Sequence, residues 1–308
     1  MEKLIDIESY PIQDTLNLLL QDKTTKKNII WATDAYAENG DGFLDRQEIK
    51  AARLINFTNL IKPRIEKTQE DQQDRTRKKA EVFTPAWLCN RMNNYCDESW
   101  FGRKNVFNIE NSDYTWDVVQ GKVEMPEGRT WKQYVDSRRL EITCGEGPFL
   151  VSRYDAATGR MIEPPKRRIG LLDRKLRIVN ENTNTYEDWL KWTIRAFEAS
   201  YGFEYQGDSL LIARINLLLT FIDYYEDRWK KEPDIKLLKK IANKIAWNIW
   251  QMDGFQDTVP LGMPPGEMYV PSLFDMGSDE IETDEAPYCR IQDWRDGSSI
   301  EYHQLKER

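Results

Sequence analysis

The sequence predicts an α/β fold built on a largely parallel sheet, and three observations carry that reading. Strand-like runs alternate with long helix-like runs through the second half of the chain. The stretch LEITCGEGPFL, Leu140 to Leu150, reads as a strand that breaks into a glycine turn and restarts as a helix at Phe149. The stretch from Gly202 to Trp229 repeats that form, as a short strand, a turn and a long helix. Only about three strands are visible, whereas a doubly wound sheet has about five or more, so the sheet reads as incomplete.

The elements follow in order. Residues 1–75 read as a helical N-terminal segment, with periodic apolar positions in IQDTLNLLL and IKAARLINFTNLI; residues 62–80 are highly charged, a linker or an exposed helix. Thr84-Pro85 ends the extended EVF and starts a helix. Residues 103–135 are rich in Asn, Asp and Gly and read as irregular. EDWLKWTIRAFEASY is an amphipathic helix, and DIKLLKKIANKIAWNIW is another. Residues 254–287 hold five prolines and many acids and read as an irregular arm before a last strand at YCRIQDW.

Composition bounds the function. The chain has 308 residues, 40% hydrophobic and 12% aromatic, enough for a sizeable core. The four cysteines, at 89, 96, 144 and 289, form no CxxC pair, which fits a reduced, cytoplasmic protein, and no run approaches the eighteen or so apolar residues of a membrane span. The one histidine, His303, excludes a multi-histidine metal site and a Ser-His-Asp triad with a buried base. A net charge of −8 argues against a chain that grips DNA unaided, and the basic clusters RTRKK and PPKRR read as solvated surface. Ala37–Glu48 resembles a calcium loop, but Ala37 stands where the first carboxylate belongs, so it reads as a glycine-rich turn.

The glycine turn carries the chemistry. Gly145 and Gly147 let the backbone approach a ligand closely, and a helix starting at Phe149 would aim amide N–H groups at it. Glu141 closes the strand, placed to accept from a ligand's ammonium group. Neither the dinucleotide pattern nor the phosphate-loop Lys and Ser/Thr is present, which suits a nucleoside ligand without a pyrophosphate.

Acid-x-x-Cys-Gly-x-Gly-x-Phe-Leu resembles the S-adenosylmethionine motif of gamma-class adenine-specific DNA methyltransferases, and places Glu141, Thr143, Cys144, Gly145, Gly147 and Phe149 at the cofactor. Three further pieces fall in that family's order. EVFTP resembles its Phe-Thr-Pro element, which implies that Phe83, Thr84 and Pro85 meet the methionine end. YGFEYQGDSLLIARINLLL resembles its second strand, whose terminal acid binds both ribose hydroxyls. Glu204 holds that place, with Ala213, Arg214 and Asn216 matching the helix behind. IQDW resembles its third-strand element, with Asp293 accepting from the adenine amino group and Trp294 on the ring. Asp253 and Asp173 remain rivals for the cofactor acid, although Asp173, before three basic residues in four, reads better as an ion-paired surface group.

The resemblance implies an incomplete Rossmann-like methyltransferase sheet over residues 76–308. The family's Asn/Asp/Ser-Pro-Pro-aromatic loop is missing: neither Pro164-Pro165 nor Pro264-Pro265 has the polar residue before it and the aromatic after it. The chain ends fourteen residues after Trp294. The expectation is therefore a split adenine methyltransferase of a restriction-modification or related defence system. This chain would bring S-adenosylmethionine. A second subunit would bring the catalytic loop, the target-recognition region and most of the grip on double-stranded DNA. The alternatives are a catalytically inactive scaffold of methyltransferase fold, and a small-molecule or protein methyltransferase active alone.

Overall fold

The computed structural model describes residues 3–57, 59–79, 84–266 and 285–306. The helices are α1 (Ile12–Leu19), α2 (Ala51–Asn56), α3 (Gln69–Lys79), α4 (Ala86–Phe101), α5 (Trp131–Val135), α6 (Leu171–Asn182), α7 (Tyr186–Glu198), α8 (Gly207–Trp229) and α9 (Ile235–Asn248). The strands are β1 (Asn108–Glu110), β2 (Trp116–Val118), β3 (Arg139–Glu141), β4 (Ser200–Glu204), β5 (Ile249–Gln251), β6 (Arg290–Asp293) and β7 (Ser298–Glu301). The protein is mixed α/β, and its centre is a parallel sheet in the order β3-β4-β5. Leu140 faces Tyr201 across the first pair and Glu204 faces Gln251 across the second, so Glu141, Glu204 and Gln251 end the three strands at one edge.

Two layers cover this sheet. Helix α8 is buried on nearly every side and runs through the main core, as a helix apolar all round must. Helix α9 turns Leu238, Ile241 and Ile245 inward, one face at helical spacing, and is capped where Asp234 accepts from the Leu237 N–H. On the other face of the sheet, Tyr201, Phe203 and Trp250 pack with Cys289 and Ile291 in a smaller core under the antiparallel β6–β7 hairpin. The N-terminal segment joins the main core through Leu16, Leu19 and Trp31. The buried Arg214 guanidinium on α8 fastens it there, donating to the carbonyls of Leu19 and Gln21 as well as those of Ala246 and Ile249. Among the described residues, no helix is long and apolar enough to cross a membrane.

Four sequence expectations change. Residues 103–135, expected to be irregular, hold the antiparallel β1–β2 pair and α5, which starts where Thr130 accepts from the Gln133 N–H. No helix starts at Phe149: the chain turns at 148–150, runs through a largely irregular stretch with one short 3-10 turn at Pro165–Arg167, and becomes α-helical only at α6. The third parallel strand is β5, formed from IWQ at the end of what reads as a helix; helix and strand are joined at Asn248, whose side chain donates to the carbonyls of Phe197 and Ser200. The IQDW strand is β6, which pairs with β7 and lies outside the parallel sheet.

Candidate functional site

A cleft of about 680 Å³ opens at the C-terminal ends of the parallel strands, within the range of roughly 300–1,000 Å³ common for ligand sites. Its floor is the turn after β3. Thr143, Gly145 and Gly147 all adopt left-handed backbone angles, with φ of 47°, 53° and 79°. The Gly147 N–H donates to the Cys144 carbonyl at 2.7 Å, which folds the loop back on itself. Helix α8 supports it from behind. A methyl at Gly147 would meet the Ala213 Cβ at 3.6 Å, and Asn216 Nδ2 donates to the Glu146 carbonyl at 3.1 Å. At Gly145, by contrast, a methyl would meet nothing within 4 Å.

Glu204 ends β4 beside this turn. Its Oε2 accepts from the Gly145 N–H at 2.8 Å and its Oε1 from the Gln206 N–H at 3.1 Å. Burial raises its pKa, against the two amide hydrogen bonds and with help from the Asp208 charge. Glu141 also borders the cleft, but its carboxylate turns into the loop and accepts from the amides of Phe149 at 3.2 Å and Leu150 at 2.9 Å. Those are the N–H groups expected to begin a helix. The acid closes the turn in place of a free ligand contact, and burial pushes its pKa up to about 8.

The remaining expected residues divide. Thr84, Thr143, Cys144 and Phe149 line the cleft. Pro85 caps α4 next to Thr84, and Phe83 lies outside the described residues. The Cys144 thiol is buried and its pKa raised by desolvation, so it is a packing group. Asp293 and Trp294 are elsewhere. The Asp293 carboxylate is bound by Arg138 at 2.8 Å, next to the opening residue of β3 and so at the opposite end of the strand from the glycine turn. Trp294 donates from Nε1 to Asn248 Oδ1 at 2.6 Å, with the Lys244 ammonium 3.4 Å from the centre of its ring. Both belong to the hairpin cover. Asp173 is fully buried, accepting from Ser152 and Gly170 where α6 begins, so it is neither a surface ion pair nor a cleft residue.

Asp253 follows β5 and folds the next turn, its Oδ1 accepting from the N–H groups of Phe255 and Gln256 at 2.9 and 3.3 Å. That turn projects Phe255 into the cleft with its side chain fully exposed. Of the three acids left open by the sequence, Glu204 alone lines the cleft. Sequence reading missed Phe255 because β5 was hidden in a helical pattern. It also missed Arg64, a buried cleft residue whose backbone N–H donates to Glu146 Oε1 at 2.6 Å. The chain matches no protein-family model, no curated protein and no solved structure.

Proposed function

We propose that this cleft holds S-adenosylmethionine, and that the chain is the donor-binding part of a DNA adenine methyltransferase whose catalytic loop comes from outside residues 1–308. One observation carries the reading: a buried acid at the end of one parallel strand closes on a glycine turn at the end of its neighbour, at the rim of a cleft of nucleoside size. Each Glu204 oxygen uses one of its acceptor positions on an amide, so each keeps another for a ribose hydroxyl. The unobstructed side of Gly145 leaves room for the ligand, and Phe255 offers a ring face for a base.

The bound cofactor would supply the methyl group. The chain's own residues would bind and orient it: Glu204 at the sugar, Phe255 on the base, and the 143–149 loop along the flank. Methyl transfer to an adenine amino group also needs acceptors aimed at a flipped-out base, and no polar-Pro-Pro-aromatic loop occurs in the sequence. Titration calorimetry with S-adenosylmethionine tests the first half of the reading; no heat of binding, with or without the completing polypeptide, would remove it. Labelled-methyl transfer to DNA tests the second half. The chain alone should be inactive, and turnover should appear on co-expression with a protein that carries the loop. Robust turnover by the chain alone would overturn the division of labour.

A further inference from the structure

A second groove, of about 530 Å³, lies beside the cleft, and the two share a wall: Asp155 borders the groove and Ala156 the cleft. One side of the groove is the β1–β2 hairpin with α4 behind it. There Tyr114 is 59% exposed and rests on Trp87 at a ring separation of 4.6 Å. The other side is the segment that carries Arg160, Lys166 and Arg167, all exposed. The two sides are joined where the Trp116 Nε1–H donates to the Arg167 carbonyl at 2.9 Å.

Two carboxylates and two guanidinium groups line the groove, and they differ in what holds them. The two carboxylates that line the groove are engaged. Asp155 accepts from the amides of Ala157 and Thr158, and Glu163 is bound to Arg168 at 2.6 Å. Arg160 and Arg167 form no ion pair with any described residue. A groove with an exposed ring on one wall and two uncommitted guanidinium groups on the other has the chemistry of a nucleic-acid track: a π-face for bases and cations for phosphates.

We infer that this groove takes a strand of DNA and leads it past the cleft. The inference rests on the methyltransferase reading for the class of its occupant, and on the groove alone for its position. With an overall charge of −8 the interaction is weak and salt-sensitive, so it is best measured at low salt.

The test is fluorescence anisotropy of a labelled oligonucleotide, single-stranded and duplex, titrated with the full chain. Arg160→Ala/Arg167→Ala should weaken binding about tenfold or more and lower the slope of log affinity against log salt by about 1.5, for two lost phosphate contacts. Tyr114→Ala should weaken it by about tenfold regardless of sequence, as a lost stacking platform does. The Lys versions of both arginines should restore the salt slope. Lys239→Ala/Lys240→Ala on α9, which removes the same charge elsewhere, should change little. Any of three results would overturn the inference: no binding by the parent chain at low salt, equal weakening by the α9 variant, or equal competition by polyglutamate. Calorimetry with S-adenosylmethionine on the same proteins separates the two readings. DNA binding that depends on the groove, with no donor binding, leaves the groove standing and removes the methyltransferase.

Discussion

Gly145 donates its N–H to Glu204 Oε2 at 2.8 Å, so the turn after β3 and the acid after β4 close on each other. If that acid grips a ribose, Glu204→Ala should weaken S-adenosylmethionine binding by roughly ten- to a hundredfold, since charge-assisted hydrogen bonds are worth about 1.5–3 kcal/mol and water repays part of that. Calorimetry measures it. An unchanged affinity, with Asp253→Ala damaging instead, would move the sugar to the other strand end.

The two glycines of the turn should separate stability from binding. Both hold left-handed angles, so alanine at either costs about 1–2 kcal/mol. Gly147 abuts α8, and Gly147→Ala should lower the thermal midpoint while donor affinity holds. Gly145 borders the cleft, so Gly145→Ala should lower both.

Glu141 gives a pH dependence with a definite sign. Burial raises its pKa from 4.5 to about 8, so between those values the folded protein holds a proton that the unfolded chain has released. Its contribution to stability is complete below about 4.5 and is lost as the pH rises toward 8. Unfolding free energies from urea titrations between pH 5.5 and 7.5 should fall by up to about 1.4 kcal/mol per pH unit from this group. Glu141→Gln should flatten that slope, and a variant as steep as the parent would place the titration elsewhere.

Phe255, which the sequence did not single out, borders the cleft, whereas Asp293, which it did, is held by Arg138 in the hairpin. Phe255 makes no buried contact, so Phe255→Ala should leave stability within about 0.5 kcal/mol and reduce donor affinity about tenfold. Asp293→Asn breaks the pair with Arg138 and should leave donor affinity unchanged. Calorimetry on the two variants decides between the turn after β5 and the hairpin.

Most of the cleft was legible because its parts are local. The strand-glycine turn at 139–147 and the strand-acid pair ending at Glu204 are contiguous signals, and each lies where the pattern puts it. What was hidden depends on contacts across the chain. Ile249–Gln251 continues the apolar rhythm of α9 and becomes a strand only because β4 offers it a partner. Asp293 and Trp294 follow a strand-like run before an acid and an aromatic, as a third-strand element would, yet that strand found β7 instead of the sheet. No local pattern tells Glu141 that its own loop amides will take its carboxylate.

Arg214 reaches from the helix behind the cleft to two carbonyls near the start of the chain and two at the root of β5. Losing the first pair would strand a buried cation. Arg214 thus ties the N-terminal segment to the cleft, and if the cleft holds the proposed donor, a ligand seated beside Gly145 should protect residues far outside its own footprint. In a protease digest, saturating donor should slow cuts near Leu19 as much as cuts in the glycine turn.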